Sequence, residues 1–172
     1  MTTDFHPNAK ELVASNAAFV RDFDGGGLQA APARRLAVVA CMDARLDVLG
    51  ILGLAAGEAH VIRNAGGVIT DDVIRSLCLS QRLLGTQEVV LVHHTGCGLQ
   101  QLDEDRFMAR LEAETGVRPP WPLEAFADPR EDVVESMRRL RASPFLPHKD
   151  HIAGFVYDVA DGRLHEVKPA TA

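Results

Sequence analysis

The chain has 172 residues, 47% of them hydrophobic and 24% charged, and a formal net charge of −6. That balance suits one globular domain able to bury a core and excludes a protein built to neutralise phosphates. No apolar run approaches the roughly 20 residues of a membrane helix, the first residues carry no secretory pattern, and three cysteines are too few, and odd in number, for a disulfide framework.

A cytoplasmic protein is therefore expected, with neither nucleic acid nor membrane as partner, folded as a single domain over residues 1–172. From Asn8 to Phe23 the apolar residues Leu12, Val13, Ala17, Phe19 and Val20 recur at helical spacing, and Asp24 with three glycines ends the pattern. Residues 1–33 then form a helical arm and linker, and 34–172 the core. Leu36 to Ala40 is a short β-branched apolar run, as a strand buried on both faces requires. Leu46 to Leu54 suits one or two helical turns broken by Gly50 and Gly53. Ala59 to Ile62 is a second strand, ending in Arg63-Asn64-Ala65-Gly66-Gly67.

Thr70 followed by Asp71 and Asp72 starts a helix, because a hydroxyl can cap its free amides and the acids suit the positive end of its dipole. It runs to about Leu84, with Gly85 as C-cap. Val89 to Val92 is the third strand. Asp103 to Glu114 is helical, Gly116 to Pro122 is a Pro-rich connection holding Trp121, and Asp128-Pro129 opens another helix that Ser143-Pro144 stops. Ile152 to Val159 and Arg163 to Val167, around Asp161-Gly162, predict a strand, a tight turn and an edge strand. The alternation implies an α/β fold: a mainly parallel central sheet flanked by helices, with an N-terminal helical arm and an antiparallel edge strand near the C-terminus.

In such a sheet, ligands gather beyond the carboxyl ends of the strands, where strand order reverses. Cys41, Arg63 and His94 are expected just past strand ends. The thiolates of Cys41 and Cys97 with the imidazole of His94 offer Zn²⁺ three soft or borderline ligands, leaving a fourth position for water or for the carboxylate of Asp43. His93 and His94 are neighbours on a strand and point to opposite faces, and the His-x-x-Cys spacing selects His94. A lone buried Cys is usually core and a lone His usually satisfies a hydrogen bond. The combination at two strand ends, with Asp43 and Arg45 alongside, is what points to a site. Cys78, mid-helix on an apolar face, has only a core reading, and His60, His148, His151 and His165 have no partner pattern. Gly66 and Gly67 either permit a turn with positive φ or, with Val68, form the substrate-binding surface by letting a small molecule approach the metal.

Cys41-Met-Asp43-Ala-Arg45, Arg63-Asn64-Ala65-Gly66 and His94-Thr95-Gly-Cys97-Gly98, in that order, resemble the three signatures of the β-class carbonic anhydrases. The similarity covers most of residues 36–167 and is closer to a compact bacterial branch. The glutamine and aromatic residues lining the plant-type pocket have no evident counterpart. The resemblance implies an enzyme with one Zn²⁺ per subunit that interconverts carbon dioxide and bicarbonate, as a homodimer or higher even oligomer with the active site near the subunit interface. By the same resemblance Cys41, His94 and Cys97 are the metal ligands, and Asp43 pairs with Arg45 as a catalytic dyad.

Zinc lowers the pKa of water from about 15.7 toward 7. Two thiolates donate more charge than imidazoles would, so activity is expected to rise with pH. Asp43 held by Arg45 can accept a hydrogen bond from the nucleophile and orient it; released, it could take the fourth zinc position. Three other readings compete: hydrolysis of carbonyl sulfide or carbon disulfide at the same zinc, a non-catalytic bicarbonate- or zinc-binding role, and thiol redox chemistry. The intact Asp43 and Arg45 count against the second. Against the third stand the lack of a Cys-x-x-Cys pair and a Cys41-to-Arg45 spacing too short for a phosphatase-like loop.

Overall fold

Apolar runs bounded by polar residues become β1 (Leu36–Cys41), β2 (Ala59–Asn64), β3 (Glu88–His94), β4 (His151–Tyr157) and β5 (Leu164–Val167), in a computed structural model that describes residues 7–169. One sheet holds them in the order β2-β1-β3-β4-β5. Every pairing is parallel except β4 with β5. From β1 the chain moves outward to β2 and then crosses back to place β3 on the other side of β1. The strand order therefore reverses between β1 and β3, and their carboxyl ends flank the crevice where such sheets bind ligands.

Three strands outrun the apolar pattern that predicts them, and they do so at the residues with chemistry. Cys41 lies opposite Asn64, and the Met42 N–H donates to the Asn64 carbonyl at 2.8 Å. His93 and His94 lie opposite Val156 and Tyr157 on β4. Cys41, Arg63 and His94 are thus strand residues rather than the first residues of loops, because ladder pairing with a neighbour continues after the apolar residues end.

The helices are α1 (Ala9–Arg21), α2 (Val48–Leu52), α3 (Asp71–Leu84), α4 (Glu104–Thr115) and α5 (Pro129–Ala142). Thr70, Asp103 and Asp128 cap α3, α4 and α5 with side-chain oxygens that accept from Val73, Arg106 and Arg130 N–H. Gly50 does not break α2. It lies inside that helix, its N–H donating to Asp47 Oδ1 at 3.2 Å, and Gly53 with φ +63° ends it.

Alternation along β1 and β3 divides the core. Ala37, Val39, Val89 and Leu91 face α3 and α5, meeting Val73, Leu77, Val133, Met137 and Leu140. Leu36, Val38, Ala40, Val90 and Val92 face the other way, toward Leu46 and Val48. Cys41 and Cys97 belong to that second layer. Where α5 crosses β4, only glycine fits: a Cβ on Gly154 would run into Val133 Cγ1 and lie 3.0 Å from Met137 Sδ. The arm α1 contributes no buried residue, and Leu12, Val13, Phe19 and Val20 all stay exposed.

Candidate metal centre

The end of β1, the end of β3 and the turn after β3 bring Cys41, His94 and Cys97 together, all buried, with one ligand atom from each within 4.8 Å of the others. Their sulfurs are 3.9 Å apart. That is far beyond a disulfide bond and close to the edge of about 3.8 Å that two Zn–S bonds of about 2.3 Å make in a tetrahedron. His94 Nδ1–H donates to the Thr95 carbonyl at 3.0 Å. This bond turns the Nε2 lone pair toward the sulfurs, and Nε2 is buried with no hydrogen-bond partner. A buried imidazole nitrogen rarely stays unpaired, and backbone anchoring of the other ring nitrogen is the usual support of a metal-ligating histidine. The donor set, its spacing and this orphaned nitrogen all fit zinc.

Asp43 stands beside this group without joining it. Arg45 Nε donates to Asp43 Oδ1 at 2.9 Å and Nη2 to Oδ2 at 2.7 Å, while the Arg45 backbone N–H also reaches Oδ1 at 2.9 Å. This bidentate hold leaves Asp43 Oδ2 at 3.7 Å from His94 Nε2. The side-chain and backbone hydrogen bonds from Arg45 keep the Asp43 carboxyl well below the usual carboxylate range. Arg45 Nη2 also donates to the Gly96 carbonyl at 3.0 Å, tying the dyad to the turn that carries Cys97.

The ligand groups share protons. A hydrogen bond from Cys97 lowers the Cys41 thiol to about 4 against the opposing effect of burial, with help from His94 and from the backbone at Asp43 and Gly66. Cys97, the donor to that thiolate, is pushed up by the same bond and by burial. Burial pulls His94 down, but the hydrogen bond and charge of Cys41 outweigh it and the net shift is upward. A dication entering here would displace the proton of Cys97.

Other expected residues fall into place around the group. Arg63 clamps the β1 loop from β2: its Nε donates to the Cys41 carbonyl at 2.9 Å and its Nη2 to the Asp43 carbonyl at 2.7 Å. A cavity of about 220 Å³ opens on the ligands, lined among others by Met42, Asp43, Gly66 and Leu99. Gly66 forms part of that wall. Gly67 and Val68 lie outside the lining. Gly67 has φ +75°, and a Cβ there would sit 2.9 Å from the Cys41 backbone nitrogen and 3.0 Å from the Ala40 carbonyl carbon, so it serves the close approach of two backbones. Val68 is buried.

His93 faces the opposite side of β3, as alternation requires, and pairs with Asp132. Nothing in the local sequence marks Asp132 as its partner. His60 bridges Ser80 Oγ and the Ala30 carbonyl, a packing role. Asp158, Asp161 and His165 also bring ligand atoms within 4.8 Å. That group is largely exposed, however, and Asp161 is already engaged by Arg163.

The family model described as carbonic anhydrase matches residues 36–164. Beta-carbonic anhydrase 1 of Mycobacterium tuberculosis is 51% identical over 159 residues, covering 92% of this chain and 97% of the relative. A carbon disulfide hydrolase of Acidithiobacillus thiooxidans is 36% identical over 154 residues, 76% of each chain. The crystal structure of a carbonic anhydrase from Streptococcus mutans superposes with a TM-score of 0.88 at 41% identity, covering 95% of this chain and 99% of that one.

Proposed function

This chain belongs to the β-class carbonic anhydrases, and from that premise we propose that it interconverts carbon dioxide and bicarbonate through Cys41, His94 and Cys97 as ligands of one zinc ion per subunit, with Asp43 and Arg45 as the catalytic dyad. The observation that carries this reading is the buried ligand group with a carboxylate held beside it, out of the ligand set, by a bidentate arginine. Zinc bound there supplies a nucleophile near neutral pH by lowering the pKa of water from about 15.7 toward 7.

The chain's own residues do the rest. Asp43, ionised and fixed by Arg45, accepts a hydrogen bond from the nucleophile and aims its lone pair into the cavity. Gly66 and Leu99 shape an apolar wall against which a small linear molecule rests. Arg63 fixes the Cys41 and Asp43 carbonyls, so ligand and dyad move as one unit. Because Arg45 holds Asp43 out of the ligand group, a zinc ion held by Cys41, His94 and Cys97 would take its fourth ligand from solvent rather than from Asp43.

The proposal extends to one domain spanning residues 1–172 and to a cytoplasmic location, supported by three free cysteines. No helix among the described residues is long and apolar enough to cross a membrane. A homodimer is supported by α1: a helix of 13 residues with none buried is marginal by itself in water, and its apolar stripe calls for a second copy as cover. Val13→Asp with Phe19→Asp is expected to shift the mass measured by light scattering toward the monomer; an unchanged oligomer would remove α1 from the interface.

Zinc content and carbon dioxide hydration, measured on one preparation across pH, test the central reading. About one zinc per chain and activity rising with pH are expected. Since the metal would displace the proton of Cys97, the logarithm of zinc affinity should rise with pH at a slope of about one. Turnover of carbon disulfide exceeding that of carbon dioxide would move the chain to the chemistry named for its 36%-identical relative.

A further inference from the structure

A buried imidazole that this chemistry leaves unused lies on the other face of β3. His93 is fully buried; its Nε2–H donates to Asp132 Oδ2 at 2.6 Å, and its Nδ1 has no hydrogen-bond partner. An imidazole with one nitrogen unsatisfied is an unfavourable way to fill an apolar layer. Docking of α5 does not depend on it, because Val133, Met137 and Leu140 already pack that helix into the core. The His93 ring is set against Phe126, with centroids 5.7 Å apart and planes inclined by 44°.

Phe126 connects this pair to the substrate cavity. Its Cε1 lies 3.4 Å from where a Cβ on Gly66 would stand, and its N–H approaches the Leu99 carbonyl at 3.4 Å. Gly66 and Leu99 line the cavity over the ligands. The strap that carries Phe126 is tied down on its approach. Glu104 of α4 accepts from Leu123 and Ala125 N–H at 2.8 and 3.3 Å, and Arg139 of α5 donates to Glu124 at 2.9 Å. These ties place the backbone of the strap, and the lean of the Phe126 ring is set by the side chains packed on it, His93 among them.

We propose that Asp132 and His93 are positioning residues for the substrate cavity: their hydrogen bond fixes the imidazole, the imidazole fixes the tilt of Phe126, and Phe126 holds Gly66 and Leu99 at the separation that sets cavity width. Phe126 is then a specificity-determining residue one layer behind the wall. The role needs no change of charge at His93 or Asp132, only a fixed ring.

The proposal rests on the carbon dioxide reading, so the unsubstituted enzyme is assayed beside the variants. Asp132→Ala should raise KM for carbon dioxide about three- to tenfold, with kcat within about twofold and zinc per chain unchanged. Asp132→Asn keeps an oxygen that accepts from His93 Nε2–H, and should return KM to within about twofold of the original. Phe126→Ala should reproduce the rise, and the double variant should rise no further than either single one. An unmoved KM in Asp132→Ala, or effects that multiply in the double variant, would overturn the positioning role. Should circular dichroism show Asp132→Ala unfolded, Phe126→Leu carries the same test, and an unchanged KM there also overturns it. Failure of the unsubstituted enzyme to hydrate carbon dioxide would instead count against the functional reading.

Discussion

Arg45→Ala is expected to keep its zinc and lose carbon dioxide hydration by a factor of about 10² to 10³, the range for removing a group that orients a reacting atom. Two effects act together. The carboxylate of Asp43 loses both side-chain bonds that hold it, so the nucleophile loses a fixed acceptor. The freed oxygen is also 3.7 Å from His94 Nε2, near enough to swing into the ligand group and displace solvent from the fourth position. Asp43→Ala removes the acceptor without supplying a competing ligand. It should fall by a similar factor while leaving the fourth position open to small anions.

Anion inhibition separates the two variants. Azide should bind Asp43→Ala about as well as the original enzyme and Arg45→Ala more weakly. Arg45→Lys should recover little, since one ammonium cannot reproduce a two-point hold on a carboxylate. Metal analysis is the control, because Arg45 also ties down the Gly96 carbonyl next to Cys97. Near-normal turnover in either alanine variant at full zinc content would sink the dyad.

How much of this is legible in the sequence follows from what kind of contact each feature uses. Caps and periodicity are local, so α3, α4 and α5 lie where Thr70, Asp103 and Asp128 announce them. Strand alternation is local as well, and its period of two is enough to separate His94 from His93. The apolar pattern ends β2 and β3 short because Arg63 and His93 are polar, and only pairing with a neighbouring strand carries the ladder through them.

Contacts to backbone carbonyls leave no mark in a sequence. The Arg63 clamp on Cys41 and Asp43 is of this kind, and a pattern of residue types indicates only that an arginine stands near. Gly66 and Gly67 carry two readings in the sequence, and both residues have the positive φ that the first of them requires. Gly66 lines the cavity, and Gly67 yields to the backbone of β1. The pairing of His93 with Asp132 joins residues 39 apart in the chain. Neither partner has a neighbour in sequence that predicts the other, and this non-local layer is where the proposed control of cavity width resides.

Cys97→Ala is expected to abolish hydration by removing the metal itself: zinc per chain should fall below about one tenth after dialysis against a weak chelator, while secondary structure persists. A zinc site with two protein ligands keeps far less affinity than one with three, and the lost ligand is a thiolate. The fold should survive because the sheet and both core layers depend on other residues; Cys97 is one small member at the edge of its cluster. The variant should also change the chemistry of Cys41. Its thiol is held at about 4 chiefly by the hydrogen bond from Cys97. With that donor gone and burial opposing charge, it should titrate higher and react more slowly with a small alkylating agent at neutral pH than in the metal-free original. Cys78→Ser, in α3 and outside the ligand group, should hold zinc as the original does. Full zinc occupancy in Cys97→Ala would remove Cys97 from the ligand set and leave His94 Nε2 to another partner.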